Sequence, residues 1–291
     1  MHDLFCFTDI HGCRSLFDAI MKYCYEQDPE ASIFFLGDAI DRGTDGYAIM
    51  KELLNNPRVI YLKGNHEDIF TKAAREIKEM FNFADRPRED VRKVLNACRR
   101  FDYKYEAIQI SLCNGGMNTL LDWIMDGMPM DLVERVENLP LTFSYEDKDF
   151  CHSAGAYTTF KEVADAEYKG KKADEYCINS LMWTRTGLSL GWAPNRIAIF
   201  GHTPVPYLED FIDGFKWKNG DEVVPYIYTR KDVFAPNMTG KKLDMDTGAV
   251  FLGRAYVLNV LTMKAQGFKD KDIKNDEIRK HDVEKIEVIQ F

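Results

Sequence analysis

Long apolar runs, paired cysteines and excess positive charge are what this chain lacks. No stretch approaches 18 uninterrupted apolar residues, and the opening Met1-His2-Asp3-Leu4-Phe5-Cys6-Phe7 has no basic leader and is soon broken by Asp9. Neither a spanning helix nor a signal peptide is read, and cytoplasmic residence without membrane contact is expected. The seven cysteines are odd in number and form no C-x-x-C pair, which fits reduced, mostly buried thiols better than a disulfide framework. A formal charge of −9 and a pI near 5.3 argue against a broad nucleic-acid footprint. There is no G-x-x-x-x-G-K-[ST] loop, no thiolate zinc motif, no internal repeat and no low-complexity tract. Apolar content of 45% over 291 residues is nevertheless ample for a sizeable core.

What is present is a repeated pattern. Short β-branched or aromatic runs at 4–8, 33–37 and 59–64 alternate with amphipathic stretches such as 14–26, where Leu16, Ile20 and Tyr23 share a face. The order reads β-α-β-α-β. From about 67 to 138 the spacing is helical almost throughout, with breaks at Pro87 and at Asn114-Gly115-Gly116, and this region is read as a helical insert. Strand-like runs return at 150–152, 197–201, 249–251, 255–260 and 286–291. Residues 205–246, rich in Gly, Pro, Trp and Tyr without clear period, read as a long excursion between strands. The mixed-charge run 264–280 reads as a solvated surface segment. With no linker to divide it, the chain is expected to form one domain over 1–291.

The polar clusters fall where these strands end. The first strand runs into Asp9-Ile10-His11-Gly12, the second into Gly37-Asp38-Ala39-Ile40-Asp41-Arg42-Gly43, the third into Gly64-Asn65-His66-Glu67. Two later strands run into His152 and into Gly201-His202-Thr203. Ligands of open α/β sheets sit outside the carboxyl ends of strands, so five ends could converge on one site. Four of the six histidines, 11, 66, 152 and 202, lie there. Carboxylates, an amide oxygen and imidazoles suit Mn²⁺, Fe or Zn²⁺, and a carboxylate such as Asp38 can bridge two cations about 3.5–4 Å apart. Taken singly, each residue has a plainer reading. Asp41 could cap a helix beginning near Arg42, Asn65 could cap one beginning at His66, and His152 could be a satisfied core histidine beside a core Cys151.

Together, "DIHG", "GDAIDRG", "GNHE", "CHSAG" and "GHTP" resemble the calcineurin-like metallophosphoesterases. The full GD-x-x-DRG and GNHE forms resemble its phosphoprotein-phosphatase branch, which includes bacterial and phage Ser/Thr phosphatases and symmetrical diadenosine-tetraphosphate hydrolases. "DMDTGAVFLGRAYVLNV" looks like the closing strands of that family. The resemblance implies an α/β fold (α+β by some schemes) with a two-sheet β-sandwich core flanked by helices, plus the helical insert. It also implies two divalent metal ions, Mn²⁺ first, with Fe or Zn²⁺ as alternatives. Asp9, His11 and Asp38 resemble the ligands of one ion, and Asp38, Asn65, His152 and His202 those of the other. His66 resembles the residue that protonates the leaving oxygen, Asp41 the residue that orients it, and Arg42 the residue that grips the phosphoryl group beside Asn65. Arg185, in "LMWTRTG", resembles a second phosphate-binding arginine; an exposed arginine at a helix end is its plainer reading. The chain departs from the pattern at His152-Ser153-Ala154-Gly155, one residue longer than the usual His-Ala-Gly, and in the size of both inserts.

The activity so implied is hydrolysis of phosphomonoesters, phosphoprotein Ser/Thr or small phosphate esters, by attack of a metal-bridging hydroxide. A dinucleoside-polyphosphate hydrolase shares every core motif, and Trp183, Trp192 and Trp217 could stack on its adenine, although core packing is the plainer job for each. Cyclic-nucleotide or nucleic-acid phosphodiester cleavage is a further possibility. A non-catalytic metal-binding scaffold would be free to lose Arg42, His66 or a ligand, and this chain keeps them all.

Overall fold

The computed structural model describes residues 2–99, 105–212, 223–229, 241–273 and 281–291. In chain order these form β1 (Leu4–Phe7), α1 (Arg14–Gln27), β2 (Ser32–Phe35), α2 (Gly46–Asn55), β3 (Val59–Tyr61), α3 (Asn65–Met80), α4 (Arg88–Cys98), α5 (Glu106–Cys113), α6 (Met117–Met125) and α7 (Met130–Glu137). There follow β4 (Thr142–Tyr145), β5 (Lys148–Cys151), α8 (Tyr157–Tyr168), α9 (Glu175–Trp183), β6 (Ile197–Phe200), β7 (Tyr226–Thr229), β8 (Lys241–Asp244), α10 (Ala249–Leu252), β9 (Arg254–Asn259), β10 (Lys264–Asp270) and β11 (Val283–Gln290).

Strand alternation sorts the side chains into layers. From β1 and β2, Phe5, Phe7, Ile33 and Phe35 face a helical layer built on α1 and the insert. Their neighbours Leu4, Cys6 and Phe34 face the other way and meet Phe150, Ile199 and Leu243 of the second sheet. The second sheet's outer face sends Cys151, Ala198 and Phe200 against Phe160 and Val163 of α8 and Leu181 of α9. Two sheets packed face to face thus lie between two helical layers, the sandwich that the family resemblance implies. Fully burying each such Phe or Leu contributes roughly 1.5–3 kcal/mol, which is what holds the layers.

The first sheet has the order β11-β10-β9-β1-β2-β3 and the second β4-β5-β6-β8-β7. In the first, β1, β2 and β3 run parallel; in the second, β5, β6 and β8 do. Parallel pairing brings the carboxyl ends of each trio to one edge, and the loops after them are laced together. Asp9 N donates to Gly37 O, His11 N to Asp38 O, Gly43 N to His11 O, and Gly201 N to His152 O.

Two sequence readings need correction. Residues 249–251 form a turn of helix, α10, between Gly248 at φ 77° and Gly253 at φ 65°; a short apolar run reads either way, and the left-handed glycines at both ends set the choice. The segment 264–280 is no free surface at its start. Residues 264–270 are strand β10, with Ala265, Gln266, Phe268 and Asp270 buried because β9 and β11 pair on either side. Residues 274–280 lie outside the described residues. So do 213–222, including Trp217, and 230–240, all within the excursion 205–246, whose β7 and β8 join the second sheet. Six of the cysteines are buried and Cys113 is exposed, with no disulfide among the described residues. No described helix is long and apolar enough to cross a membrane.

Candidate active site

The structure brings Asp9, His11, Asp38, Asn65, His66, His152 and His202 together at the shared edge of the two sheets, all of them buried. Asp38 lies at the centre, with its two oxygens facing different neighbours. Its Oδ1 is 3.5 Å from His152 Nε2, while its Oδ2 is 3.6 Å from His11 Nε2 and 3.9 Å from His66 Nε2. Two groups share it: His11, Asp38 and His66, and Asp38, His152 and His202, each offering ligand atoms within 4.8 Å of one another. Asp9 is set slightly apart, its Oδ1 4.0 Å from His11 Nε2. Its other oxygen accepts from Thr8 Oγ1 at 2.5 Å and from His202 N at 3.0 Å, which fixes the carboxylate.

The second group is a convergence of acceptors. His152 Nδ1 lies 2.8 Å from Leu36 O and His202 Nε2 lies 3.3 Å from Trp183 O. A carbonyl only accepts, so each ring donates there and turns its lone-pair nitrogen inward. Those nitrogens, His152 Nε2 and His202 Nδ1, lie 3.0 and 2.9 Å from Asn65 Oδ1. His11 is held the same way, with Nδ1 donating to Ile40 O at 2.9 Å. A hydrogen bond from the far ring nitrogen to a backbone carbonyl orients a histidine for a cation. The donor set, imidazole nitrogens with carboxylate and amide oxygens, fits divalent ions of the Mn²⁺, Fe or Zn²⁺ type.

Backbone conformation shows how tightly the loops are wound. Asp9, His11, Asp38, Asp41, Arg42 and His202 have φ between 46° and 73°, the left-handed region that costs a non-glycine residue about 1 kcal/mol or more. Gly37, at φ 100°, has Gly64 N 2.6 Å from where a β-carbon would stand, and a β-carbon on Gly201 would meet the Asp9 carboxylate. Only glycine admits loops this close.

His66 lies in the first turn of α3, with Nδ1 2.8 Å from Asp41 Oδ2. Burial pulls its pKa down, but the Asp38 and Asp41 carboxylates outweigh that and raise it above 6.5. Burial, with the charges of His66 and Arg42, holds His11 well below its ordinary value; burial, with His152 and Arg185, does the same for His202. Burial pushes the Asp38 carboxyl well up despite the opposing His66 charge. The Arg42 guanidinium lies among them, Nη1 2.6 Å from His11 Nε2 and Nη2 3.0 Å from His66 Nε2. A cation on His11 therefore requires this side chain to swing away. Its backbone is fixed, Arg42 N donating to Gly115 O at 3.0 Å, and Phe251 lies 5.4 Å from Cζ. Arg185 is near enough to His202 for its charge to be felt there, and its Cζ lies 5.9 Å from the Phe211 ring centre. Neither capping reading describes the observed helices: α3 begins at Asn65 itself, and no helix begins near Arg42. Trp192 is fully buried and Trp183 is 38% exposed.

Three carboxylates carry parts of the site that the sequence reading left without a role. Glu67 accepts from Asp38 N, Ala39 N, Gly64 N and Tyr61 Oη at 2.6 to 3.0 Å, tying the loop after β2 to the start of α3. A glutamate at the third position of a helix is the available signal. Asp244 ends β8, a sixth strand end, and Asp246 follows it; burial raises both carboxyls well above their ordinary range, joined by the Asp246 charge at Asp244 and by the Asp9 charge at Asp246. Asp244 Oδ2 and Asp41 Oδ1 are buried without a partner among the described residues. A D-x-D after a strand was the signal for this pair.

These carboxylates and imidazoles, gathered around Arg42, form a centre that could hold metal ions. A model of the calcineurin-like phosphoesterases matches residues 3–234, and the chain belongs to that family. No curated protein sequence matches it. Among solved structures it is similar to a protein-tyrosine phosphatase of a psychrophilic Shewanella species, at 14% identity and TM-score 0.44, covering 92% of this chain and 77% of that one. It is also similar to a serine/threonine phosphatase of Saccharomyces cerevisiae (12%, 0.42, covering 100% and 81%) and to a metallophosphoesterase of Sphaerobacter thermophilus (11%, 0.42, covering 89% and 83%). At these identities the likeness concerns the fold alone.

Proposed function

We propose that this protein is a two-metal phosphatase acting on phosphomonoesters, either phosphoprotein Ser/Thr or small phosphate esters. The observation that carries the reading is Asp38, whose two oxygens face two histidine groups, as a carboxylate shared by two cations would. His11, Asp38 and Asp9 would hold one ion, and Asp38, Asn65, His152 and His202 the other. When bound, such a pair of ions, Mn²⁺ first among the candidates, supplies Lewis acidity towards phosphoryl oxygens and a water acidic enough to ionise near neutral pH.

The chain's own residues do the rest. Arg42, released from the two imidazoles, offers planar paired donors to equatorial phosphoryl oxygens, and Arg185 offers a second set. Asn65 completes the phosphate contacts. His66 holds its proton against Asp41 at Nδ1 and, as imidazolium, presents Nε2–H to the leaving oxygen. A non-catalytic scaffold would be free to lose Arg42, His66 or one of the candidate ligands, and their presence together supports the catalytic reading.

A panel of phosphopeptide, p-nitrophenyl phosphate and diadenosine tetraphosphate tests the reading. Wild type with Mn²⁺ hydrolyses the monoesters in preference, and His66→Asn lowers kcat by about 100-fold or more while circular dichroism stays unchanged. Wild-type rates in purified His66→Asn would overturn the mechanism. Preference for diadenosine tetraphosphate would move the assignment to the dinucleotide hydrolases.

A further inference from the structure

Among the described residues the Arg185 guanidinium has the Phe211 ring beside it and is close enough to His202 for its charge to be felt there, but it forms no ion pair, so its aim depends on the backbone that carries it. That backbone, residues 181–187, is tied by polar contacts to the loops after β5 and β6 and to β8. Ser153 N donates to Leu181 O at 2.8 Å, and Ser153 Oγ to Thr184 O at 2.5 Å. His202 Nε2 donates to Trp183 O. At the far end Lys242, 2% exposed on β8, donates from Nζ to Gly187 O at 2.5 Å and to Gly155 O at 3.3 Å, with Nζ 5.5 Å from the Trp192 ring centre. The loops touch through their backbones: a β-carbon on Gly187 would stand 2.7 Å from Gly155 Cα.

Lys242 is unexpected chemistry for a central strand. Among the described residues it forms no ion pair, and burying an ammonium costs several kcal/mol that methionine of similar length would not incur. What the amine adds is a set of directed donors, and both acceptors are carbonyls of the two joined loops. Ser153, the residue by which this chain exceeds His-Ala-Gly, supplies the complementary ties at the near end.

We propose that Lys242 and Ser153 are positioning residues for Arg185, clamping segment 181–187 to the His152 loop so that the guanidinium stays aimed at the phosphate. This rests on the phosphatase reading above. The test compares wild type, Lys242→Met, Ser153→Ala, Arg185→Ala and the two double variants containing Arg185→Ala. Three quantities are read: KM and kcat for p-nitrophenyl phosphate with Mn²⁺, binding of inorganic phosphate to the Mn²⁺-loaded protein by calorimetry, and amide hydrogen exchange across 181–190.

Arg185→Ala is expected to weaken phosphate binding and raise KM about 10-fold, and each clamp variant about 3- to 10-fold. In the Arg185→Ala background the clamp variants add less than twofold, because their effect passes through that side chain. Exchange across 181–190 quickens in both while the first sheet keeps its protection. The proposal is overturned by unchanged phosphate binding in both clamp variants, or by effects that multiply in full on Arg185→Ala. Should Lys242→Met fail to fold, Ser153→Ala, which loses a single hydroxyl, decides alone. A wild type inactive on every substrate would end the phosphatase reading, and the clamp would still be judged by exchange and phosphate binding.

Discussion

Asp41 and His66 show what one buried contact does to a proton. Because the carboxylates raise the His66 pKa above 6.5, the imidazolium form persists to higher pH than in a free histidine, and its contribution to stability is full below 6.5 and fades as the pH rises through the folded value. A general acid with that pKa gives kcat/KM an alkaline limb set by the same group. Asp41→Asn removes one of the two charges that raise it. The limb is expected to move to lower pH and kcat to fall roughly 10- to 100-fold; a limb that stays in place would mean that another group supplies the proton. The residues carrying this chemistry were legible because each ends a strand within a run of polar residues. Glu67, Asp244 and Asp246 were not assigned a role, since a carboxylate that binds backbone N–H groups or faces its like is defined by partners distant in sequence.

Among the elements, the insert braces the 41–43 loop that follows β2. The α5–α6 corner supplies Gly115 O to Arg42 N, and Thr119 Oγ1 accepts from Asp41 N at 3.1 Å. A β-carbon on Gly115 would stand 2.9 Å from Arg42 N. Gly115→Ala is therefore expected to displace the 41–43 loop and lower kcat/KM about 10-fold or more. Gly127→Ala is the control, since Gly127 has a similar φ, 87° against 90°, with nothing within 4 Å of its added carbon. It bears the left-handed strain, about 1–2 kcal/mol, without the clash. Equal activity losses in the two would show that strain alone is felt. Helices α1 to α7 and the first three strands were legible from period and turn residues, whereas α8 and α9 were not read. Strand β10 was not, because Lys264, Lys269 and Asp270 carry charges that only the pairing on both sides shows to be within a sheet. Nor was α10, whose four residues fit either period.

Considered as a whole, the molecule places its candidate ligands on both sheets. Asp9, His11, Asp38 and Asn65 follow strands of the first, His152 and His202 strands of the second, and Asp38 stands between them. Cations bound there would join the two halves of the sandwich at the edge where loops replace sheet packing. An ion that binds the folded state alone stabilises it by mass action, about 2.7 kcal/mol at a free concentration ~100 times Kd. For a chain of this size that raises Tm by roughly 4 °C. Chelation should therefore lower the Tm of wild type, and Mn²⁺ should restore it. In Asp38→Asn, where the shared carboxylate is gone and a source of charge repulsion with it, the metal-free Tm is expected to hold or rise while the Mn²⁺-dependent rise largely disappears. A full Mn²⁺ response in Asp38→Asn would place the stabilising ion somewhere other than between the two sheets.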